Sequence, residues 1–174
     1  TDGNYENGVA WNGITAITES PEGAEATALY ADNIKYLNLV SAEDLNGTIE
    51  AYTYPDEFAQ CDGSKTPEGL TGLYLGQQER KSFAICYKTK YSDANNGDYY
   101  KLHVIYNCLA APSERAYNTI NDSPEAITFS WEFSTTPEVV TTAGFKPTAI
   151  VTIDSRAIPE GKAAKLTAIL NSLY

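Results

Sequence analysis

The chain has 174 residues and a formal net charge of −11, and 43% of its residues are hydrophobic; a domain of this size buries roughly 70% of the surface exposed on unfolding, so one independent core needs no disulfide or metal staple. The charge is lopsided: residues 1–64 hold twelve acids against one base, Lys35, whereas residues 65–174 hold eleven of each and sum to zero. That asymmetry excludes a nucleic-acid-holding role, which needs Lys and Arg against phosphate, and suits either solubility or a surface past which DNA moves without sticking.

Thirteen tyrosines and recurrent Thr and Ile, in short runs broken by Gly, Pro, Asn and Asp, predict a mainly β protein. In chain order the strands are expected at Gly8–Ala16, Asn33–Val40 and Gly47–Tyr54. Pro55, Asp56 and Glu57 then open a short helix, since a proline at the first position lacks only an N–H that would be unpaired anyway and the dipole favours acids there. The pair Glu43-Asp44 reads as a turn. Cys61–Gln78, with four glycines and a proline, reads as a long loop, of a kind that is functional or mobile in compact domains.

Two strands follow at Lys81–Lys90, with Phe83, Ile85 and Tyr87 on one face, and at Tyr99–Cys108, with Leu102, Val104 and Tyr106 on one face. Asn96-Gly97 between them favours a tight reversal, so the two form a hairpin. After an irregular crossing at Ala110–Pro124, the strand Ala126–Ser134 alternates Ile127, Phe129, Trp131 and Phe133 with Thr128, Ser130, Glu132 and Ser134. Its aromatic row predicts a core face and its polar row a face toward water or a neighbour. A last strand at Thr148–Asp154 precedes a C-terminal helix whose Leu166, Ile169, Leu170 and Leu173 form one apolar stripe. No internal repeat or domain boundary stands out, so residues 1–174 read as one domain.

Counting removes most catalytic constellations. The single histidine, His103, lies mid-strand; there is no HExxH pair, no GxSxG elbow and no GxxxxGK[ST] loop. Asp93, Asn95, Gly97 and Asp98 depart from a calcium loop, with glycine one place early and Val104 where the bidentate Glu belongs. Two acids set roughly 5–10 Å apart would make a glycosidase pair, but sequence does not place them. Asn46-Gly-Thr48 and Asn121-Asp-Ser123 fit the glycosylation pattern at chance frequency. Cys61, Cys86 and Cys108 form no CxxC pair and read as reduced, buried, small apolar residues. No run nears the ~18 apolar residues of a membrane span, and the start, TDGNYENG, lacks signal-peptide character. The absence of Met predicts that the ends were trimmed. A catalytic site, cofactor or metal is not expected.

Several segments resemble the major tail (tail tube) proteins of long non-contractile-tailed bacteriophages or prophages: GVAWNGIT, ALYADNIKYLNLVSAEDLNGTIEAYTYPDEFAQCDG, LGQQERKSFAIC (Leu75–Cys86) and INDSPEAITFSWEFSTTP. The likeness runs from about Tyr5 to Asp154. It implies a β-sandwich or barrel-like fold with a short flanking helix, beside the expected C-terminal helix. It also implies a virion structural protein assembled in the bacterial host cytoplasm. Six copies would close into a ring, and rings would stack around a tape-measure protein, with other tail proteins as partners, into a tube that conducts DNA without binding it and without membrane insertion. Combined with the charge asymmetry, it makes Glu19, Glu22, Glu25, Asp32, Glu43, Asp44 and Glu50 candidates for lining the bore. The loop bearing Cys61, Asp62, Lys65, Glu68, Leu73 and Tyr74 becomes a candidate for ring stacking, ordering on contact. The rival reading from aromatic content is a carbohydrate-binding or adhesin-type β-sandwich module.

Overall fold

A computed structural model describes residues 8–23, 26–40, 43–92, 98–115, 117, 127–158 and 162. Eight strands appear: β1 (Ile14–Gly23), β2 (Ala26–Ala31), β3 (Ile34–Val40), β4 (Glu43–Ala51), β5 (Phe83–Ser92), β6 (Asp98–Ala110), β7 (Phe129–Thr135) and β8 (Ile150–Asp154). Six form one curled antiparallel sheet in the order β1-β4-β7-β6-β5, with β8 also on β6; β2 and β3 pair separately. The mainly β expectation therefore holds.

The first strand lies further along than the sequence pattern predicts, at Ile14–Gly23 and not Gly8–Ala16, and it contains Pro21. Among the described residues β1 pairs only with β4, and a sheet edge is where a residue without an N–H is tolerated. Glu43-Asp44, expected as a turn, begins β4. The strand Ala26–Ala31 was not expected at all. Asp32 and Asn33 reverse the chain after it with φ of 50° and 66°, the two-residue hairpin geometry that short polar side chains tolerate. Gly23 pairs with Glu43, and Ala26 with Val40, so the β2–β3 hairpin continues in step with β1–β4.

β6 changes neighbour along one edge. Lys101–Ile105 pair with β8, and Cys108–Ala110 pair with β7. The change occurs at Asn107, in the left-handed region at φ 55°, where an extra residue bulges the strand. Its side-chain amide donates to the Thr136 carbonyl at 3.1 Å and to Glu138 Oε1 at 3.2 Å, and its own carbonyl accepts from Thr136 N–H at 3.2 Å. The bulge resets the alternation: Ile105, Cys108 and Ala110 face the central core, while Leu102, on the opposite face, is also fully buried. The expected apolar row Leu102, Val104, Tyr106 is thus not the row that enters that core.

The core gathers Ile49 and Ala51 of β4, Ile85 of β5, Trp131 and Phe133 of β7, and Phe58 from the 3₁₀ turn Asp56–Gln60. The expected short helix is this single turn, with Pro55 as its N-cap and Asp56 and Glu57 in its first turn. Phe58 meets Trp131 and Phe83 edge-on at centroid separations of 5.2 Å, and Trp11 packs 4.5 Å from Phe58 while donating its indole N–H to the Thr53 carbonyl. The aromatic row of β7 is a core face, with Trp131 1% exposed. The C-terminal helix after Ile158 and the Asn96-Gly97 turn lie outside the described residues; Ser92 and Asp98 flank that turn as a pair, so β5 and β6 do form the expected hairpin.

Candidate functional site

The strand registers define one broad polar face. Ile17, Ile49 and Trp131 share the core side of β1, β4 and β7, which places Thr18, Thr48 and Glu132 together on the reverse. The same alternation puts Glu22 directly opposite Asp44, and Glu50 opposite Ser130, on that outward face. β1, β4 and β7 contain no lysine or arginine. Four carboxylates therefore share the outward face of these three strands, beside Thr18, Ser20, Asn46, Thr48 and Ser130 and without a base. Of the acids singled out from sequence, Glu22, Asp44 and Glu50 lie here. Glu43 pairs with Gly23 on the reverse side, and Asp32 sits in the β2–β3 turn. Glu19 turns inward, and Glu25 lies outside the described residues. Glu132 was overlooked because its half of the chain is neutral overall, although its alternation with Trp131 already placed it opposite the core.

The β2–β3 hairpin is an arm. Leu29 faces Leu37 and Ala31 faces Ile34, which gives the hairpin one apolar side. Among the described residues no core covers it there: Leu29 is 44% exposed, Leu37 47% and Ile34 65%. Tyr30 and Tyr36 are also exposed. A lone two-stranded hairpin is marginal in water, and an apolar side with no cover gains nothing from burial.

The long loop after the 3₁₀ turn is closed at its base. Lys65 and Leu75 exchange backbone hydrogen bonds of 2.9 Å, Gln78 N–H donates to the Gly63 carbonyl at 2.9 Å, and Lys81 N–H to the Gln60 carbonyl at 3.2 Å. Cys61 and Asp62 are buried beneath it. Asp62 is ion-paired with Arg115, whose guanidinium also lies 5.9 Å from the Tyr54 ring centroid. The tip presents Glu68, Leu73 and Tyr74 to solvent, with Leu70 and Leu75 beside them. Of the six loop residues named from sequence, two are anchors, Lys65 closes the ladder and three stand on the outside.

Two clusters of titratable groups lie elsewhere. On the core side of β5 and β6, Tyr87 donates its hydroxyl to Glu19 and stacks on His103, with centroids 4.8 Å apart and planes 4° from parallel. His103 Nε2 is 3.0 Å from Thr89 Oγ1, and Nδ1 is 3.6 Å from Glu19 Oε1. Burial, and then the bond to Glu19, push the Tyr87 phenol well above its ordinary value. These groups satisfy one another and join β1 to β5 and β6. The second cluster lines a shallow cleft of about 430 Å³ with Lys90, Lys101, Tyr91, Asp154 and Arg156. Tyr91 donates to Asp154 at 2.6 Å, a bond that lowers the carboxyl and raises the phenol. Among the described residues no group of three or more His, Cys, Asp or Glu is placed to hold a metal ion, and no helix is long and apolar enough to cross a membrane. No protein-family model matches the chain, and no curated protein matches it.

Proposed function

We propose that this chain is a structural subunit of a bacteriophage tail tube, six copies closing into a ring and rings stacking into the conduit for DNA. The observation that carries the reading is the arm: a separate hairpin exposes an apolar face of Leu29, Leu37 and Ile34. A second copy supplies the cover most simply, because the surface is presented identically by every subunit. The sequence resemblance supplies the architecture.

The acidic face of β1, β4 and β7 suits the bore. Carboxylates with no basic residue on the same strands repel phosphate, so a polyanion slides past without the counterion release that makes it stick. The exposed loop tip around Leu70, Leu73 and Tyr74 suits contact between rings.

The test is electron microscopy and sedimentation of the full-length protein at high concentration. Rings or tubes are expected, together with monomers for a variant in which Leu29→Ser, Ile34→Ser and Leu37→Ser are combined. Monodisperse wild-type monomers overturn the reading. In tubes that do form, Glu50→Lys with Glu132→Lys should leave assembly intact and slow genome release, and unchanged release would remove the role given to the acidic face. A carbohydrate-binding module remains the second reading, favoured by the exposed rings of Tyr30 and Tyr36. Saccharide binding by a strictly monomeric protein would establish it instead.

A further inference from the structure

Three strands of the curled sheet have, among the described residues, a neighbour on one side only: the short β8, which shares one side of β6 with β7, and the two that end the strand order, β1, paired with β4, and β5, paired with β6. Such an edge presents unpaired N–H and C=O groups that template another strand, and proteins control it with charge. These two edges are charged with opposite sign. β1, ITAITESPEG, carries Glu19 and Glu22 and no base; β5, FAICYKTKYS, carries Lys88 and Lys90 and no acid.

The charges also share a face. Ile85 and Tyr87 of β5 point to the core side with Ile105 and His103, so Lys88 and Lys90 lie on the reverse, where Lys88 Nζ sits 5.4 Å from the Tyr100 ring centroid. Glu22 occupies the corresponding outward face of β1 and stands directly opposite Asp44, a like-charge pair that is unfavourable in an isolated subunit and calls for a cation. Glu19, held inward by Tyr87, is not part of this surface.

We propose that β5 of one copy receives the β1 edge of a second copy, with Lys88 and Lys90 set against Glu22 and Asp44. The contact rests on the self-assembly reading above and assigns it to particular edges. Charge selects it by exclusion as well as by attraction: β5 against β5 would bring lysine rows together, and β1 against β1 would bring glutamates together. Only the mixed pairing brings opposite charges together, and Pro21, which lacks an N–H, is the one residue of β1 that cannot donate across the seam. Each copy then carries one acidic and one basic edge, a heterologous contact that closes into a ring when the rotation permits. At each seam the lysines are neutralised by Glu22 and Asp44, so Glu50 and Glu132 keep the shared outward face negative.

Four proteins test this: wild type, Lys88→Glu/Lys90→Glu, Glu22→Lys/Asp44→Lys, and the variant with all four changes. Folding is checked by circular dichroism, and association is measured by analytical ultracentrifugation at low and high salt. Wild type should associate and weaken with salt, each charge-reversed pair should associate at least tenfold more weakly, and the fourfold variant should recover most of the loss. Folded pairs that associate like wild type, or a fourfold variant as weak as either pair, overturn the contact while leaving self-assembly standing. A wild-type protein that never associates overturns both.

Discussion

Tyr87 of β5 donates its hydroxyl to Glu19 of β1, joining two residues 68 positions apart and fastening the first strand across the face of the β5–β6 hairpin. His103, stacked on Tyr87, brings its Nδ1 to 3.6 Å from the same carboxylate. Removing the hydroxyl by Tyr87→Phe keeps the ring stack and deletes the bond to Glu19. A loss of about 1 kcal/mol is expected, the usual value of one hydrogen bond, read as a lowered urea midpoint at unchanged slope. An unchanged midpoint would show that the bond contributes nothing.

Gly47 lies where β4 crosses under the Phe133 ring. A Cβ there would stand 2.5 Å from Phe133 Cζ and 2.5 Å from the Thr18 carbonyl oxygen. The ring has some freedom to shift, but the backbone oxygen belongs to the paired β1 strand. Gly47→Ala should therefore destabilise by roughly 1–3 kcal/mol, measured by thermal unfolding; a neutral substitution would mean that β1 and β4 can separate at this point without penalty.

Asp62 is buried beneath the long loop, with its side chain 5% exposed, and Arg115 is its partner. Arg115→Met leaves that carboxylate without a counter-ion and should cost about 3 kcal/mol. Adding Asp62→Asn to the same chain should restore much of the loss, because the stranded charge is then gone. Non-recovery in the double variant would indicate that the arginine acts through packing on Tyr54.

Alkaline pH should destabilise the fold through its thiols. Burial raises Cys108 from an ordinary value of 9.0 to about 12, and it raises Cys61 and Cys86 in the same direction. Below the ordinary value both states keep the proton. As pH climbs above it, the unfolded chain releases protons that the folded chain retains, so stability falls until the folded value is reached. The urea midpoint should drop between about pH 9 and about pH 12, and a thiol reagent should modify Cys108 only on unfolding. Fast labelling of Cys108 in the native protein would contradict its burial.

The exposed tip of the Cys61–Gln78 loop is expected to matter for stacking and not for folding, because the ladder between Lys65 and Leu75 closes the loop below it. Replacing residues 67–73 by a short turn should leave the circular dichroism spectrum and melting temperature nearly unchanged while stopping assembly at rings or monomers. Normal tubes would remove the loop from the contact between rings.

Local signals identified the aromatic face of β7 through alternation, the pairing of β5 with β6 through Asn96-Gly97, and the turn opened by Pro55 through a proline followed by two acids, because each depends on residues within a few positions of one another. Alternation also separated Glu132 from Trp131, although the neutral charge total of that half drew attention away from the acid. Other features were not local. The Asp32-Asn33 reversal depends on two residues entering the left-handed region together, and the pattern around it reads equally well as a strand beginning at Asn33. The bulge at Asn107 swaps which row of β6 enters the central core, so the expected row of Leu102, Val104 and Tyr106 gave way to Ile105, Cys108 and Ala110.

By itself, the sequence determined that this is a β protein with an acidic first third, since composition and period-2 alternation are properties of the chain that survive any arrangement of its strands. Only the tertiary structure decided which acids share a face, which strands are left as edges and which hairpin exposes an apolar side. Those outcomes follow from register, and a slip of one residue of β1 along β4 would carry Glu22 to the side of the sheet opposite Asp44, which β7 holds in place.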